Sequence, residues 1–286
     1  MVFLHLLLAA QAGTPAPLHK ANAVCANHRF PALAGPWVVT CDKRQRIARA
    51  VSVEGHAEHS FEPTSHAGTG FGQILLPGHG LYRFGQDGDA SPIPIPASAL
   101  HPVTNGTNLA WVSTDQQVHW TQDGQKPHVI ETSKARIGTQ PAATHAGVGW
   151  VADSANQDAD LWWYDATTST SSILDGGAGD QHHPIADGPW LMWVSDGDIH
   201  LWNTETHARQ HIPTETGFNA SPTLSNGVAC WETRRERHQS RDIDIVCSDG
   251  VHVDMPGHQT HPQRWGRHLL FRDQGQLMLL SQEEQP

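Results

Sequence analysis

Residues 180–206 read DQHHPIADGPWLMWVSDGDIHLWNTET, and residues 218–232 read FNASPTLSNGVACWE. Each stretch places a proline nine residues before a tryptophan, Pro184–Trp193 and Pro222–Trp231, with Gly188 or Gly227 between. The frame recurs as Pro102–Gly106–Trp111, Pro141–Gly147–Trp150 and Pro262–Gly266–Phe271. Successive prolines lie 39, 43, 38 and 40 residues apart. A fixed period of this length marks one supersecondary unit used repeatedly.

The rest of the unit is strand-like. After each aromatic comes an acid, read as a loop residue: Asp115, Asp153, Asp196, Glu232, Asp273. A second β-rich run follows, VHW (118–120), DLWWYD (160–165), DIHLWN (198–203), DIDIVC (242–247) and QLMLL (276–280). A third closes most units: HVI (128–130), SSIL (171–174), RQHIP (209–213), VHVDM (251–255). Short, partly alternating runs between turn residues are strands. With the proline-marked strand they make four per unit. One such sheet cannot cover both its faces, so units stack around an axis and bury them against neighbours. The fold class predicted is all-β, a β-propeller of four-stranded antiparallel blades, with the repeated aromatic packed between blades.

Two looser units precede the five, over residues 31–57 and 70–96. In the second, SPIPIP (91–96) belongs on a blade edge, because proline cannot donate to a central ladder. Seven blades are favoured, near 22–66, 67–101, 102–140, 141–183, 184–221, 222–261 and 262–286, the last completed by a strand from residues 14–24. Six blades is the alternative.

Composition agrees. Only 16% of the 286 residues are charged, while Gly (26) and Pro (19) are abundant, which excludes a helical bundle. Trp (11) exceeds Phe (7) and Tyr (2), as expected if one aromatic is reused by a repeat. Lys and Arg total 18 against 29 Asp and Glu, a formal charge of −11, and no basic run offsets it. Such a chain is a poor partner for nucleic acid or an anionic membrane. The 21 histidines titrate near neutrality and would offset part of the deficit in acid.

Residues 2–10, VFLHLLLAA, followed by Ala10-Gln11-Ala12, predict a signal peptide over 1–12, and with it a single periplasmic or extracellular domain over 13–286. The alternative is an N-terminal strand of the fold. No later segment is apolar over 18 residues, so no transmembrane segment is expected. The cysteines stand at 25, 41, 230 and 247 without a C-x-x-C pair. Cys25–Cys41 and Cys230–Cys247 suit neighbouring strands, and two disulfides are expected on export, with free buried thiols the alternative.

The stretches 180–206 and 218–232 resemble TolB-type propeller repeats, over residues 102–280 closely and 22–101 loosely. The resemblance implies the fold and leaves function open, since propellers host binding scaffolds and enzymes alike. In propellers of this type the innermost strand lines an axial tunnel, and the residues before the proline lead into it. Here these include His101, His183 and His261 directly before proline, with His182 beside them, and the amides Gln181, Asn219 and Gln259 further upstream. Convergent imidazoles suit Mn or Zn. Gln259-Thr260-His261-Pro262, with His183 or His182, resembles part of the manganese site of oligogalacturonate lyases. That likeness implies a metal polarising a uronate carboxylate for proton abstraction. The bland alternative is a polar, water-filled tunnel.

Asp153, Asp158 and Asp160 in one loop, and Asp196 and Asp198 in another, are a candidate for calcium, although no D-x-D-x-D-G loop exists. There is no G-x-S-x-G elbow, P-loop or H-E-x-x-H motif. Residues 234–238, RRERH, read as a charged loop between strands. The leading expectation is a non-enzymatic scaffold presenting one face to a protein or polysaccharide. The alternative is a metal-dependent propeller lyase or hydrolase.

Overall fold

The computed structural model describes Pro96 and residues 99–282 except 106, 123–124, 132–133, 154–157, 178, 215–219 and 238–239. Before residue 96, and at 235–237 and 240–241, it describes the backbone of strands only. Among the described residues every regular element is a strand. One four-stranded antiparallel sheet is built in chain order from Leu100–Thr104, Asn108–Val112, Val118–Gln122 and His128–Ile130. The next takes Ala142–Ala143, Gly147–Asp153, Ala159–Asp165 and Thr170–Asp175. Gln181–Asp187, Trp190–Ser195, Asp198–Asn203 and Arg209–Ile212 follow, then Ala220–Ser225, Val228–Arg237, Ser240–Cys247 and His252–Val253. Gln259–Trp265, His268–Asp273 and Gln276–Ser281 form the last sheet with Ala16–Pro17, which pairs Ala16 opposite Leu279 and Pro17 opposite Met278. Backbone pairing groups the strands between Ala32 and Phe61, and between Gly68 and Ile93, in the same way. Pro92 lies on the outermost strand of its sheet, as the missing N–H requires.

Two-residue turns join second and third strands where both central residues adopt positive φ, as at Asp196-Gly197 (51° and 84°) and Gln274-Gly275 (48° and 84°). These are the primed turns whose twist matches that of antiparallel strands. Asn226-Gly227 does the same between first and second strands (47° and 77°). There a Cβ on Gly227 would stand 2.7 Å from the indole of Trp190, so only glycine fits.

The marker proline is not where the period suggested. Pro184 and Pro262 are the fourth residues of Gln181–Asp187 and Gln259–Trp265, and Pro102 and Pro222 the third of theirs. The expected blade boundaries at 101/102, 183/184, 221/222 and 261/262 therefore cut through strands. The reason is a β-bulge. Pairing shifts between Leu100 and Val103, His182 and Ile185, Ala220 and Thr223, and Thr260 and Gln263. The proline and the residue before it sit in the unpaired step, so no ladder bond is lost.

The core lies between sheets. Trp150 packs with Ala110, Val118 and Ile130 of the sheet before it, and Trp193 with Val151, Leu161 and Trp163. Trp231 meets Met192, Ile199 and Leu201, and Phe271 meets Cys230, Ile245 and Val253. The repeated aromatic is thus the link between units, as its spacing predicted. The first strands of successive sheets also touch one another, and Gln259–Trp265 touches Ala32–Ala34.

Cys230 and Cys247 stand opposite each other on paired strands and form a disulfide. The expected Cys25–Cys41 bridge lies outside the described residues. The first four residues of the RRERH stretch are not a loop: the strand Val228–Arg237 includes them, and Arg234 to Arg237 pair with Ile243 to Ser240, while residue 238 lies outside the described residues. Glu232, expected in a loop, is likewise in this strand and buried. Among the described residues no helix is long and apolar enough to cross a membrane.

Candidate functional site

Register places the candidate residues on one face. In three sheets the start of the first strand pairs with the end of the second, Leu100 with Val112, Gln181 with Ser195 and Gln259 with Asp273, and in a fourth Ala220 pairs with Glu232, beyond which the second strand continues. The segments leading into first strands and the connections between second and third strands therefore share one end of the sheets.

His101, His183, Ser221 and His261 stand on this face, each directly before the marker proline, with φ of 47°, 53°, 48° and 56°. Left-handed backbone is costly for most residues, and histidine is among those enriched there. The bulge thus explains a small or polar residue at this position. The three imidazoles are exposed, whereas the following prolines are buried. His182 is half-buried, its ring 4.8 Å from that of His183 and its Nδ1 3.3 Å from the Asp180 carbonyl oxygen.

The amides go elsewhere. Gln181 and Gln259 are fully buried. Gln181 Nε2 donates to the Gly179 carbonyl and to Ser195 Oγ, both at 3.2 Å, and its Oε1 meets no donor. Gln259 Nε2 donates to Asp273 Oδ1 at 3.1 Å, and its Oε1 accepts the Met255 N–H at 3.4 Å. Both fasten the start of a first strand to its own sheet instead of joining the exposed histidines. Asn219 lies outside the described residues. Among the described residues, no three His, Cys, Asp or Glu side chains are grouped to hold a metal ion.

Carboxylates surround the rim on the same face. Arg136 bridges Asp153 at 3.2 Å and Asp180 at 3.3 Å. The Ala159 N–H and Arg136 hold the Asp180 carboxyl below its usual range. A bond from Ser113 Oγ does the same for Asp115. Asp160 is pushed up by burial and by the charges of Asp158 and Asp175. Glu232 Oε1 accepts the His261 backbone N–H at 2.7 Å, tying the rim of the last sheet to the sheet before it.

Sequence reasoning missed a second group. Trp193 stacks on His200 at 5.3 Å, and His200 stacks on His211 at 4.8 Å. His211 Nε2 lies 2.7 Å from Asp198 Oδ2. Burial, and then the neighbouring His211, hold the His200 imidazole below its ordinary value. Trp111 and His119 repeat the stack at 5.1 Å. Each pair is directly cross-strand, Trp111 with His119 and Trp193 with His200, so the signal was a histidine at one register position of the third strand.

No family model matches the chain, and no curated protein matches it. Solved structures do. It is similar to a streptogramin B lyase, at 12% identity, over 94% of this chain and 97% of that one, with a TM-score of 0.56. It is similar to a chain of the mitotic checkpoint complex, at 10% identity over 97% and 96%, with a TM-score of 0.61. The β-propeller domain of the Trilobed protease from Pyrococcus furiosus, described as having an open velcro topology, matches at 6% identity over 90% and 93%, with a TM-score of 0.58. At these identities the likeness is one of fold. The chain has a propeller repeat fold.

Proposed function

We propose that this chain is an exported, TolB-like, seven-bladed β-propeller that binds a protein partner through the face carrying His101, His183, Ser221 and His261, without catalysis. Ring closure is supported by the contact of first strands in succession and by the pairing of Ala16–Pro17 with the last sheet. Export is supported by the leader-like residues 1–12 and by the Cys230–Cys247 disulfide, which suits an oxidising compartment.

One observation carries the binding reading. Four equivalent positions on one face hold left-handed backbone, and three of them present exposed imidazoles. Repeated backbone outliers at solvent-facing positions are a reason to look for function there. Imidazoles that donate, accept and titrate suit a polar partner surface.

The test is capture of a partner from native envelope or medium by the purified chain, compared with a His101→Asn, His183→Asn, His261→Asn variant. Asparagine also tolerates left-handed backbone, so the fold is preserved. Loss of the partner on substitution is expected. Stoichiometric metal in the purified chain, lost in His183→Ala or His261→Ala, would overturn the scaffold reading in favour of a metal-dependent enzyme.

A further inference from the structure

Nearly all of the net charge belongs to two adjacent sheets. Residues 137–208 hold ten of the 29 Asp and Glu and no Lys or Arg, in a chain of formal charge −11. The fold gathers six of the ten at one end. Asp153 ends a second strand, Asp158 precedes the third, and Asp160 is that strand's second residue. Asp175 ends the fourth, opposite Leu161, and Asp180 precedes the next first strand. Asp196 stands in the turn between the second and third strands of that next sheet and abuts Gly179, so the acidic segments of the two sheets meet. This is the end that carries His182 and His183. Among the described residues, Arg136 alone forms ion pairs with the group, through Asp153 and Asp180.

Asp160 is the member that the fold leaves unsatisfied. It is 7% exposed, and among the described residues its side chain makes no hydrogen bond and no ion pair. Its Oδ1 lies 3.6 Å from where a Cβ on Gly176 would stand, so the carboxyl points toward the connection after Asp175. The charges it meets, Asp158 and Asp175, repel it. The repeat supplies an internal comparison. Asp198 holds the same register place one sheet on, opposite Ser195 as Asp160 is opposite Ala152, and there the Thr214 N–H and His211 satisfy it. A carboxylate withdrawn from water without a cation is costly. Its missing partner is therefore a cation from outside the chain. Among the described residues no three acids or imidazoles converge on one point, as a single metal ion would need. Acids spread over two sheets instead match cations spaced along a polypeptide.

We infer that this end of the two sheets, from Asp153 to Asp196, docks a lysine- or arginine-rich segment of the partner protein, one of whose side chains reaches Asp160. This rests on the binding reading above and adds the partner's chemistry. The exposed acids Asp153, Asp180 and Asp196 steer the segment in, and the recessed Asp160 fixes its register. A long cationic side chain reaches such a carboxyl while its apolar stem packs along the walls.

The experiment measures anisotropy of a fluorescein-labelled lysine-rich peptide against the full chain, with a glutamate-rich peptide for comparison. Asp160→Asn and Asp158→Asn/Asp196→Asn are compared with Asp165→Asn/Glu205→Gln, which removes charge at the opposite end of the sheets. The lysine peptide should bind, more weakly in high salt. Its affinity should fall roughly tenfold in each site variant and little in the control. Asp160→Asn should unfold at a temperature no lower than the parent's, because it removes an unpaired buried charge. A lower midpoint would show that Asp160 serves the fold. Equal losses in site and control variants, or preference for the glutamate peptide, would overturn the inference. So would calcium or manganese binding tightly at one ion per chain and lost in Asp160→Asn, which would put a metal in place of the segment. A natural partner that depends on the histidine rim but is retained by both site variants overturns this inference alone. If no partner depends on the rim, the binding reading itself fails.

Discussion

Trp193 donates its indole N–H to Asp175 Oδ2 at 2.7 Å, joining the second strand of one sheet to the fourth strand of the sheet before it. Trp150 holds the same place one unit earlier, fully buried, and its indole N–H meets no acceptor. The position corresponding to Asp175 is there Ile130, opposite Val118 as Asp175 is opposite Leu161. Trp193→Phe and Trp150→Phe remove the same volume from equivalent packing. Trp193→Phe also removes a charge-assisted hydrogen bond, whereas Trp150→Phe removes an unsatisfied donor. We expect Trp193→Phe to be the more destabilising by about 2 kcal/mol in chemical denaturation. Equal losses would show that the Asp175 bond contributes nothing net.

His183 serves the backbone and the surface at once, and substitution separates the two. With φ at 53°, His183→Val should destabilise by about 1–2 kcal/mol, because a β-branched residue is strained there. His183→Asn and His183→Gly should leave the thermal midpoint nearly unchanged while weakening partner capture. A His183→Val protein as stable as the parent would mean that the bulge relaxes without cost.

Asp187 accepts the Asn226 N–H from the neighbouring sheet, and burial pushes its carboxyl above the ordinary range. The folded state then holds this proton more tightly than the unfolded chain. Ionised Asp187 opposes folding, by an amount that grows as pH rises from the unfolded value through the folded one. Asp187→Asn keeps an acceptor for Asn226 and removes the charge. Unfolding measured across the acid range should show the variant gaining stability relative to the parent as pH rises, then levelling off. A constant difference at every pH would rule out this titration as the cause.

The Cys230–Cys247 bridge closes a short loop within one sheet, over a sequence separation of 17. Reduction, or a Cys230→Ser/Cys247→Ser pair, should lower unfolding free energy by roughly 3 kcal/mol on the chain-entropy view. Unchanged denaturant midpoints with and without reductant would contradict this.

Much of the architecture was legible because burial repeats. The frame from Pro184 to Trp193 recurs since each unit must place an aromatic between two sheets, and that demand shows directly as spacing. The bulge was not legible. Nothing in QHHP distinguishes a proline that opens a strand from one that interrupts its fourth position. Only the pairing partners of His182 and Ile185, on a different strand, reveal the skipped step. RRERH misled for a related reason. Charge density suggested a loop, but pairing with residues 240–243 places Arg234 to Arg237 in a strand.

The site divides along the same line. Sequence alone determined that polar residues precede the prolines, because the repeat aligns them. Tertiary structure decided which of those residues reach solvent. Gln181 and Gln259 turn inward because their amides complete hydrogen bonds at the strand start, while His183 and His261, two positions on, occupy the bulge and stay exposed. A local sequence states which groups are available. Which of them spend their hydrogen bonds on the fold depends on partners such as Ser195 and Asp273, which lie 14 residues away and are brought close only by the antiparallel return of the strand.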